Sequence, residues 1–334
     1  MQLSIIIVNY RTPQLVVDCL RSVYAHTKNI SFEVIVVDNQ SGDNSDPVIR
    51  SAFPGLRWIQ MNENTGFARA NNAGIHVATG DAVLLLNSDT LVNDNAIGNC
   101  FQQFMASGYA ACGAQLINPD GSPQISGNYF MKGGVNHLLP LPWLGSFLKA
   151  VANLLRVKKP NVPEAKDEVE VDWINGAFLM VRRTAFEKAG LMDEDFFLYA
   201  EETEWCSRLK KTGRLCIFGN CRVVHLQGAS ANETFQSSGQ GYMNMFDRKG
   251  LQIMVSNLLR VRKQFGAGWF LLHLFFLLVE IPVFFFGLIF SNIFTLGRSR
   301  YRWSQFAGYC KNVFRILGLS PTTLRNKPHF YKLL

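Results

Sequence analysis

Val83-Leu84-Leu85-Leu86-Asn87-Ser88-Asp89 is an apolar run that stops on three polar residues. Its leading side chains leave no polar face, which reads as a strand buried on both sides, and Thr79-Gly80-Asp81 bounds it upstream. Such a strand carries Asp89 to the edge of a sheet. In an open parallel α/β sheet, ligands bind beyond the carboxyl ends of the strands. One carboxylate there, beside neutral Asn87 and Ser88, suits a hard cation that draws its other ligands from phosphate oxygens and water. An acidic turn after a strand also serves as an N-cap for the next helix, and the run by itself supports either use.

Upstream the same pattern recurs. Leu3 to Val8 is a β-branched run ending at Asn9-Tyr10, and Pro13 opens a periodic stretch to about His26, a good residue for a helix start. Glu33 to Val37 ends in Asp38-Asn39-Gln40-Ser41-Gly42-Asp43-Asn44-Ser45, a loop too polar to be buried without a ligand or water. Arg57 to Met61 leads into Asn62 to Gly74, with a helix expected from about Gly66 to Ala78. Strand alternating with helix is the signature of a parallel sheet with right-handed crossovers. The turn at Gly66 lacks the spacing of a dinucleotide loop.

With 334 residues the chain can bury a full core and make one large domain or two. Its formal charge of +8 points to an anionic partner, whether nucleic acid, anionic lipid or a phosphorylated substrate. The seven cysteines are odd in number and form no Cys-x-x-Cys pair, so neither a zinc site nor a disulfide framework is indicated and a reducing compartment is expected. Ile5-Ile6-Ile7-Val8 is too short for the apolar core of a signal peptide and no basic region precedes it, so the first residues are assigned to the fold.

Val8-Asn9-Tyr10, Val37-Asp38-Asn39, the block from Asn64-Thr65-Gly66-Phe67 to Asn72, and Asn87-Ser88-Asp89 together resemble the inverting family-2 glycosyltransferases of the GT-A fold. More narrowly they resemble the rhamnosyl- and galactofuranosyltransferases that build bacterial surface polysaccharides. The resemblance covers about residues 3 to 228. It implies an α/β fold with a mostly parallel sheet flanked by helices. It sets Asn9, Tyr10, Asp38, Asn39, Gly66, Phe67, Asn72, Asn87, Ser88 and Gly176 around the donor, with Asp38 accepting hydrogen bonds from the base. Asp89 would bind a metal, Mg2+ or Mn2+, beneath the diphosphate.

Past Asp89, a helix near Asn95 to Ala106 leads to Ala110 to Ile117 and a turn, Asn118-Pro119-Asp120-Gly121-Ser122-Pro123. Residues 128–168 fit the family pattern poorly and read as an insertion. There Phe147, Val151, Leu154 and Leu155 share a helical face ringed by Lys149, Arg156, Lys158 and Lys159, a pattern suited equally to a membrane interface or to a surface helix packed on the core. Val171 to Arg183 contains Gly176, where the missing side chain could let backbone approach a sugar. Phe196-Phe197-Leu198-Tyr199-Ala200-Glu201-Glu202-Thr203-Glu204-Trp205 then opens a helix that runs to about Thr212. Acids in a first turn complement the helix dipole, but that does not account for three acids in four residues beside three aromatics.

Inverting transfer needs a base for the acceptor hydroxyl, and burial beside other acids raises a carboxylate toward that task. The second acid of the family's motif falls on Glu202; glutamate stands where aspartate is common, which leaves Glu201 as the alternate. Glu204 with Arg208 reads as a helix ion pair. Cys221-Arg222-Val223-Val224-His225 reads as a short strand, and the resemblance makes His225 the second metal ligand with Asp89. Residues 230–241, with the glycines at 228, 239 and 241, are expected as a loop closing over the donor.

Trp269 to Phe290 is apolar and long enough to cross a bilayer, yet Glu280 and Pro282 sit in its middle. Arg260, Arg262 and Lys263 precede it while Arg298, Arg300 and Arg302 follow, which favours both ends on the cytoplasmic side. A re-entrant or in-plane hairpin bent at Pro282 satisfies both facts. The expected organisation is a catalytic domain over 1–240 and a membrane-associating helical region over 241–334. It would lie peripherally or re-entrantly at the cytoplasmic face of the bacterial inner membrane. The expected partners are a nucleotide-diphospho-sugar donor, a lipid-linked or lipopolysaccharide acceptor and the membrane surface, rather than nucleic acid. The expected sugar is rhamnose from dTDP-rhamnose, with a hexosyl or galactofuranosyl donor, or a silent sugar-nucleotide-binding scaffold, as alternatives. A nucleotidyltransferase would need a basic glycine-rich loop after the first strand, where residues 9–14 offer only Arg11.

Overall fold

The structure, a computed structural model, describes residues 1–157, 161–226 and 244–333. In chain order the elements begin with β1 (Leu3–Asn9), α1 (Pro13–His26), β2 (Phe32–Asp38), α2 (Ser45–Ala52), β3 (Arg57–Gln60), α3 (Gly66–Val77), β4 (Ala82–Leu86) and β5 (Thr90–Val92). Next come α4 (Ala96–Ala106), β6 (Ala111–Ile117), β7 (Gly127–Asn128), a 3-10 segment at Lys132–Leu138 and α5 (Leu144–Leu154). Then follow β8 (Glu168–Val171), β9 (Trp173–Ile174), β10 (Phe178–Arg182), α6 (Arg183–Ala189), α7 (Glu201–Leu209) and β11 (Leu215–His225). The C-terminal helices are α8 (Arg248–Phe265), α9 (Ala267–Phe294) and α10 (Trp303–Arg325).

The chain divides into two compact units. Among the described residues, the first holds 1–130, 161–197 and 201–226, and the second 131–157, 198–200 and 244–333. The first is built on a sheet of order β3-β2-β1-β4-β10-β6-β11-β5, with β8 also paired to β11. β1 to β4 run parallel, as burial on both faces predicts for β1, β2 and β4, while β3 lies at the edge with exposed or half-buried residues. Alternate side chains feed two cores. Leu3, Ile5 and Ile7 with Val34, Val36, Leu84 and Leu86 pack against α1 and α4. Ile6, Ile35, Val37, Val83 and Leu85 pack against α3, α6 and α7.

Beyond β4 the sheet is mixed. β10 runs antiparallel between β4 and β6, and β11 is parallel to β6 but antiparallel to β5 and β8. The strand expected at Cys221 to His225 is the end of the longer β11, which shifts register between Phe218 and Arg222. That irregularity lets one strand pair on both edges before delivering His225 opposite Thr90.

Two further expectations are corrected in the second unit. The segment read as an insertion in the catalytic domain clusters, over 131–157, with the C-terminal helices. Gly133 lies so close to Trp269 that a Cβ would fall 2.0 Å from its ring. The Trp143 and Leu144 amides each donate to Glu280, at 2.9 Å. The apolar segment is one continuous helix, α9, and not a hairpin: Pro282 lies inside it. A proline removes one amide donor, and a helix held by neighbours on one side tolerates that. Phe270, His273, Leu277, Glu280, Phe284 and Leu288 form its buried stripe, while Leu271, Phe275, Phe286 and Phe290 on other faces are exposed. α8 and α10 pack against it, and the Tyr309 hydroxyl donates to the Leu277 carbonyl.

Candidate functional site

The sequence-selected site residues all fall in the first unit, at strand ends, in the loops that follow them, or in α3 and the head of α7. The parallel register sets Asn9 opposite Asp38. Asn9 donates to Asp38 Oδ1 at 2.7 Å and to Ser41 Oγ at 3.0 Å, and its own Oδ1 receives the Thr12 amide and hydroxyl. Asp38 also receives the Ser41 hydroxyl and amide and Gln60 Nε2. Four donors from this chain therefore surround a carboxylate that is 3% exposed. A nucleotide base could bond to Asp38 only by displacing one of them, so in this structure its work is to lock the ends of β1, β2 and β3. Tyr10, half-buried, lies under the Arg11 guanidinium at 5.3 Å.

Asn39 ties this corner to α3. Its Oδ1 receives the Thr65 amide and hydroxyl, and its Nδ2 donates to Asn64 Oδ1 and the Gly66 carbonyl. Gly66 has φ +77°, and a Cβ there would fall 2.1 Å from the Phe197 carbonyl oxygen, which the Phe67 amide engages at 2.8 Å. Glycine is required by that approach of protein to protein. Asn72, set among the donor contacts by the resemblance, bonds both backbone groups of Met192 through its side-chain amide and reaches Glu194. It positions the chain leading to Phe196 and Phe197.

At the end of β4 the Asn87 amide donates to the Ala177 carbonyl, so the Asn87-Ser88-Asp89 turn abuts the turn containing Gly176. Ser88 Oγ lies 3.4 Å from Thr12 Oγ1. β5 pairs antiparallel with the last residues of β11, and this brings Asp89 and His225 together. His225 Nε2 is 3.4 Å from Asp89 Oδ1, with both side chains nearly buried. Among the described residues no group of three or more His, Cys, Asp or Glu side chains could hold a metal. The pair itself suits a cation such as Mg2+ or Mn2+, which commonly takes one or two protein ligands and completes its shell with water and substrate phosphates.

The acids at the head of α7 differ sharply. Tyr199 and Ala200, immediately before them, both have left-handed backbone, with φ 73° and 66°. Glu201 is 3% exposed, and burial, reinforced by the neighbouring Glu202 charge, holds its carboxyl well above the usual carboxylate range. Glu202 is half-buried and accepts from the Thr203 hydroxyl at 3.1 Å. A Cβ on Gly176 would lie 3.5 Å from Glu202 Cγ and 3.7 Å from Phe67 Cε1, so the glycine keeps open a space bordered by both. Glu204 pairs with Arg208 through both carboxylate oxygens, as the spacing predicts, and Arg208 also binds the Ala189 carbonyl. The expected closing loop at 230–241 lies outside the described residues, as do Lys158 and Lys159.

Sequence reasoning passed over Ser41, Gln60, Thr12 and Gln124. Ser41 sits in a polar loop within which the sequence assigns no separate roles; Gln124 lies 101 residues from its partner His225, and no local pattern marks it.

Residues 4–162 match the model for glycosyl transferase family 2. A low-salt glycan biosynthesis hexosyltransferase, Agl10, of Haloferax volcanii is 27% identical over 253 residues, covering 74% of each chain. An N-acetylglucosaminyl-diphospho-decaprenol L-rhamnosyltransferase of Mycobacterium tuberculosis is 26% identical over 210 residues, 58% of this chain and 66% of that protein. A mannosyltransferase structure from Pyrobaculum calidifontis, in complex with GDP-Man and Mn2+, covers 98% of this chain and 81% of its own, with TM-score 0.51 at 14% identity. Residues 4–162 thus form a glycosyltransferase family 2 domain, and the fold is mixed α/β and GT-A-like.

Proposed function

We propose that the protein is an inverting, metal-assisted glycosyltransferase that moves a sugar from a nucleotide diphosphate to a lipid-linked or lipopolysaccharide glycan at the cytoplasmic face of a membrane. The carrying observation is the buried Asp89 and His225 pair, 3.4 Å apart where β5 and the end of β11 meet. A Mg2+ or Mn2+ held there would neutralise charge growing on the leaving diphosphate. Glu202 takes the proton from the acceptor hydroxyl. Its partial exposure and the space left by Gly176 support that role over Glu201, whose burial keeps it from reaching an acceptor. Thr203 orients the Glu202 carboxylate and Phe67 borders the space where a sugar would rest.

We take rhamnose from dTDP-rhamnose as the donor. The rhamnosyltransferase name of the mycobacterial relative favours that reading, and its decaprenol-linked substrate favours a lipid-linked acceptor. The hexosyltransferase name of the haloarchaeal relative favours a hexosyl donor as the second reading. A panel of nucleotide sugars, read by nucleoside-diphosphate release with membrane extract as acceptor, separates them. In that assay Glu202→Gln is expected to lower turnover by about two to four orders of magnitude while donor affinity stays within a few fold. A larger loss in Glu201→Gln, or activity indifferent to a chelator, overturns the respective assignment.

A further inference from the structure

We infer that Gln124 is a positioning residue that fixes the proton on His225 Nδ1 and so keeps the Nε2 lone pair turned toward Asp89 for a divalent cation. The inference rests on the metal reading above, but its core is a matter of donors and acceptors. Gln124 Nε2 lies 2.7 Å from the His225 carbonyl oxygen and 2.7 Å from Asn118 Oδ1. A backbone carbonyl can only accept, so the nitrogen of the amide must face it and the orientation of the Gln124 side chain is settled. Gln124 Oε1 then faces His225 Nδ1 at 2.9 Å, and because that oxygen can only accept, Nδ1 must carry the hydrogen.

In the neutral ring this leaves Nε2 unprotonated, 3.4 Å from the Asp89 carboxylate. Two acceptors then face each other in a buried site, an arrangement that a shared cation relieves. The Leu226 amide donates to the Asp89 carbonyl at 2.9 Å, tying the start of β5 to the end of β11 without occupying the Asp89 carboxylate. Without Gln124, the ring could place its proton on Nε2 and donate it to Asp89, which would close the site.

Gln124 is itself well held. Its amide donates to the Leu116 carbonyl, and its carbonyl receives Gln115 Nε2 and the Ser126 hydroxyl. Asn118, which takes the second Gln124 proton, is fixed by Ser122 across the turn that follows β6. The turn recognised in the sequence therefore supports the residue behind a metal ligand. Outer partners of a ligating histidine typically contribute 10- to 100-fold in metal affinity.

The test uses the full chain labelled with 15N-histidine, the His225 resonances being assigned with His225→Ala. Without metal, the wild type should give an Nδ1–H, Nε2-unprotonated pattern for His225, and Gln124→Leu should shift it toward Nε2–H. Titration with Mn2+ alone, followed by electron paramagnetic resonance, should give binding weakened about 10- to 100-fold in Gln124→Leu. Gln124→Glu retains an acceptor for Nδ1–H and should lose less, which guards against a leucine variant that fails to fold. An Nε2–H pattern in the wild type, or unchanged tautomer and affinity in Gln124→Leu, overturns the inference. Mn2+ binding indifferent to Asp89→Ala overturns the metal reading instead, and the two failures are told apart because the tautomer is read without metal.

Discussion

Glu201 and Glu202 are adjacent in sequence and meet different surroundings. Glu202 is half-buried, whereas Glu201 is buried with no hydrogen-bond partner for Oε2 among the described residues. Burial and the Glu202 charge raise the Glu201 carboxyl, and this has a signed consequence for stability. Below the ordinary carboxylate range both folded and unfolded chains hold the proton, and the group contributes no pH dependence. As pH rises above that range, the unfolded chain releases its proton while the folded chain keeps it, so the folded state loses ground until pH passes the raised value. Glu201→Gln cannot ionise in either state. Thermal unfolding should therefore fall less steeply with pH in the variant than in the wild type, with the variant gaining most at the upper end of the window; parallel profiles would contradict the assignment. The sequence marks both acids but not the difference between them, because burial is decided by the tertiary packing around the head of α7. The same limit hides Gln124 and the bond from Asn72 to Met192, whose partners are 101 and 120 residues away.

At the scale of elements, β1 to β4 are legible because their alternate side chains enter two cores, and a run apolar on both faces between helices has few other readings. Direction is not legible: Phe178-Leu179-Met180-Val181 is equally apolar read either way, and only its pairing between β4 and β6 makes it antiparallel. α9 is the sharper case. Glu280 reads as an obstacle to a helix in an apolar setting, yet it is 0% exposed and its two oxygens accept the Trp143 and Leu144 amides at the start of α5. It caps a helix 136 residues away, where a carboxylate meets both unpaired amides and the positive end of the helix dipole. Glu280→Ala leaves those part-buried amides without their acceptor, and should cost about 1–3 kcal/mol. Glu280→Gln keeps one acceptor and should cost less. Chemical denaturation, with limited proteolysis around residues 144–154 as a local readout, checks both; an alanine variant as stable and as protected as the wild type would remove the capping role.

For the molecule as a whole, the proposed function requires a chain of charge +8 to meet a membrane, and the second unit holds the apolar helix suited to it. α9 is long enough to cross a bilayer, at about 1.5 Å per residue over its 28 residues, and is the one such helix among the described residues. Its buried stripe from Phe270 to Leu288 nonetheless packs against its own unit along most of its length, with His273 bonded to the Gly133 carbonyl and Glu280 to α5. A crossing helix would have to carry those polar contacts and the charged helices α8 and α10 into lipid, at several kcal/mol per unsatisfied group. Lying in the membrane plane asks only that its exposed phenylalanines enter one leaflet, with Arg298, Arg300 and Arg302 at the head groups, each worth on the order of 1 kcal/mol. Replacing Phe275, Phe286 and Phe290 by serine removes exposed surface and spares the buried stripe. Flotation with phosphatidylglycerol-containing vesicles should fall at least tenfold, since each buried phenylalanine contributes about 1.5–3 kcal/mol, while transfer to a short soluble acceptor persists. Gly318 on α10 offers open space for a cysteine, and Cys310 is the one native cysteine that is not buried. In a Cys310→Ser background, Gly318→Cys should resist an impermeant thiol reagent in intact spheroplasts and react once they are opened. Labelling from outside would mean that α9 crosses after all, and the in-plane reading would have to be abandoned.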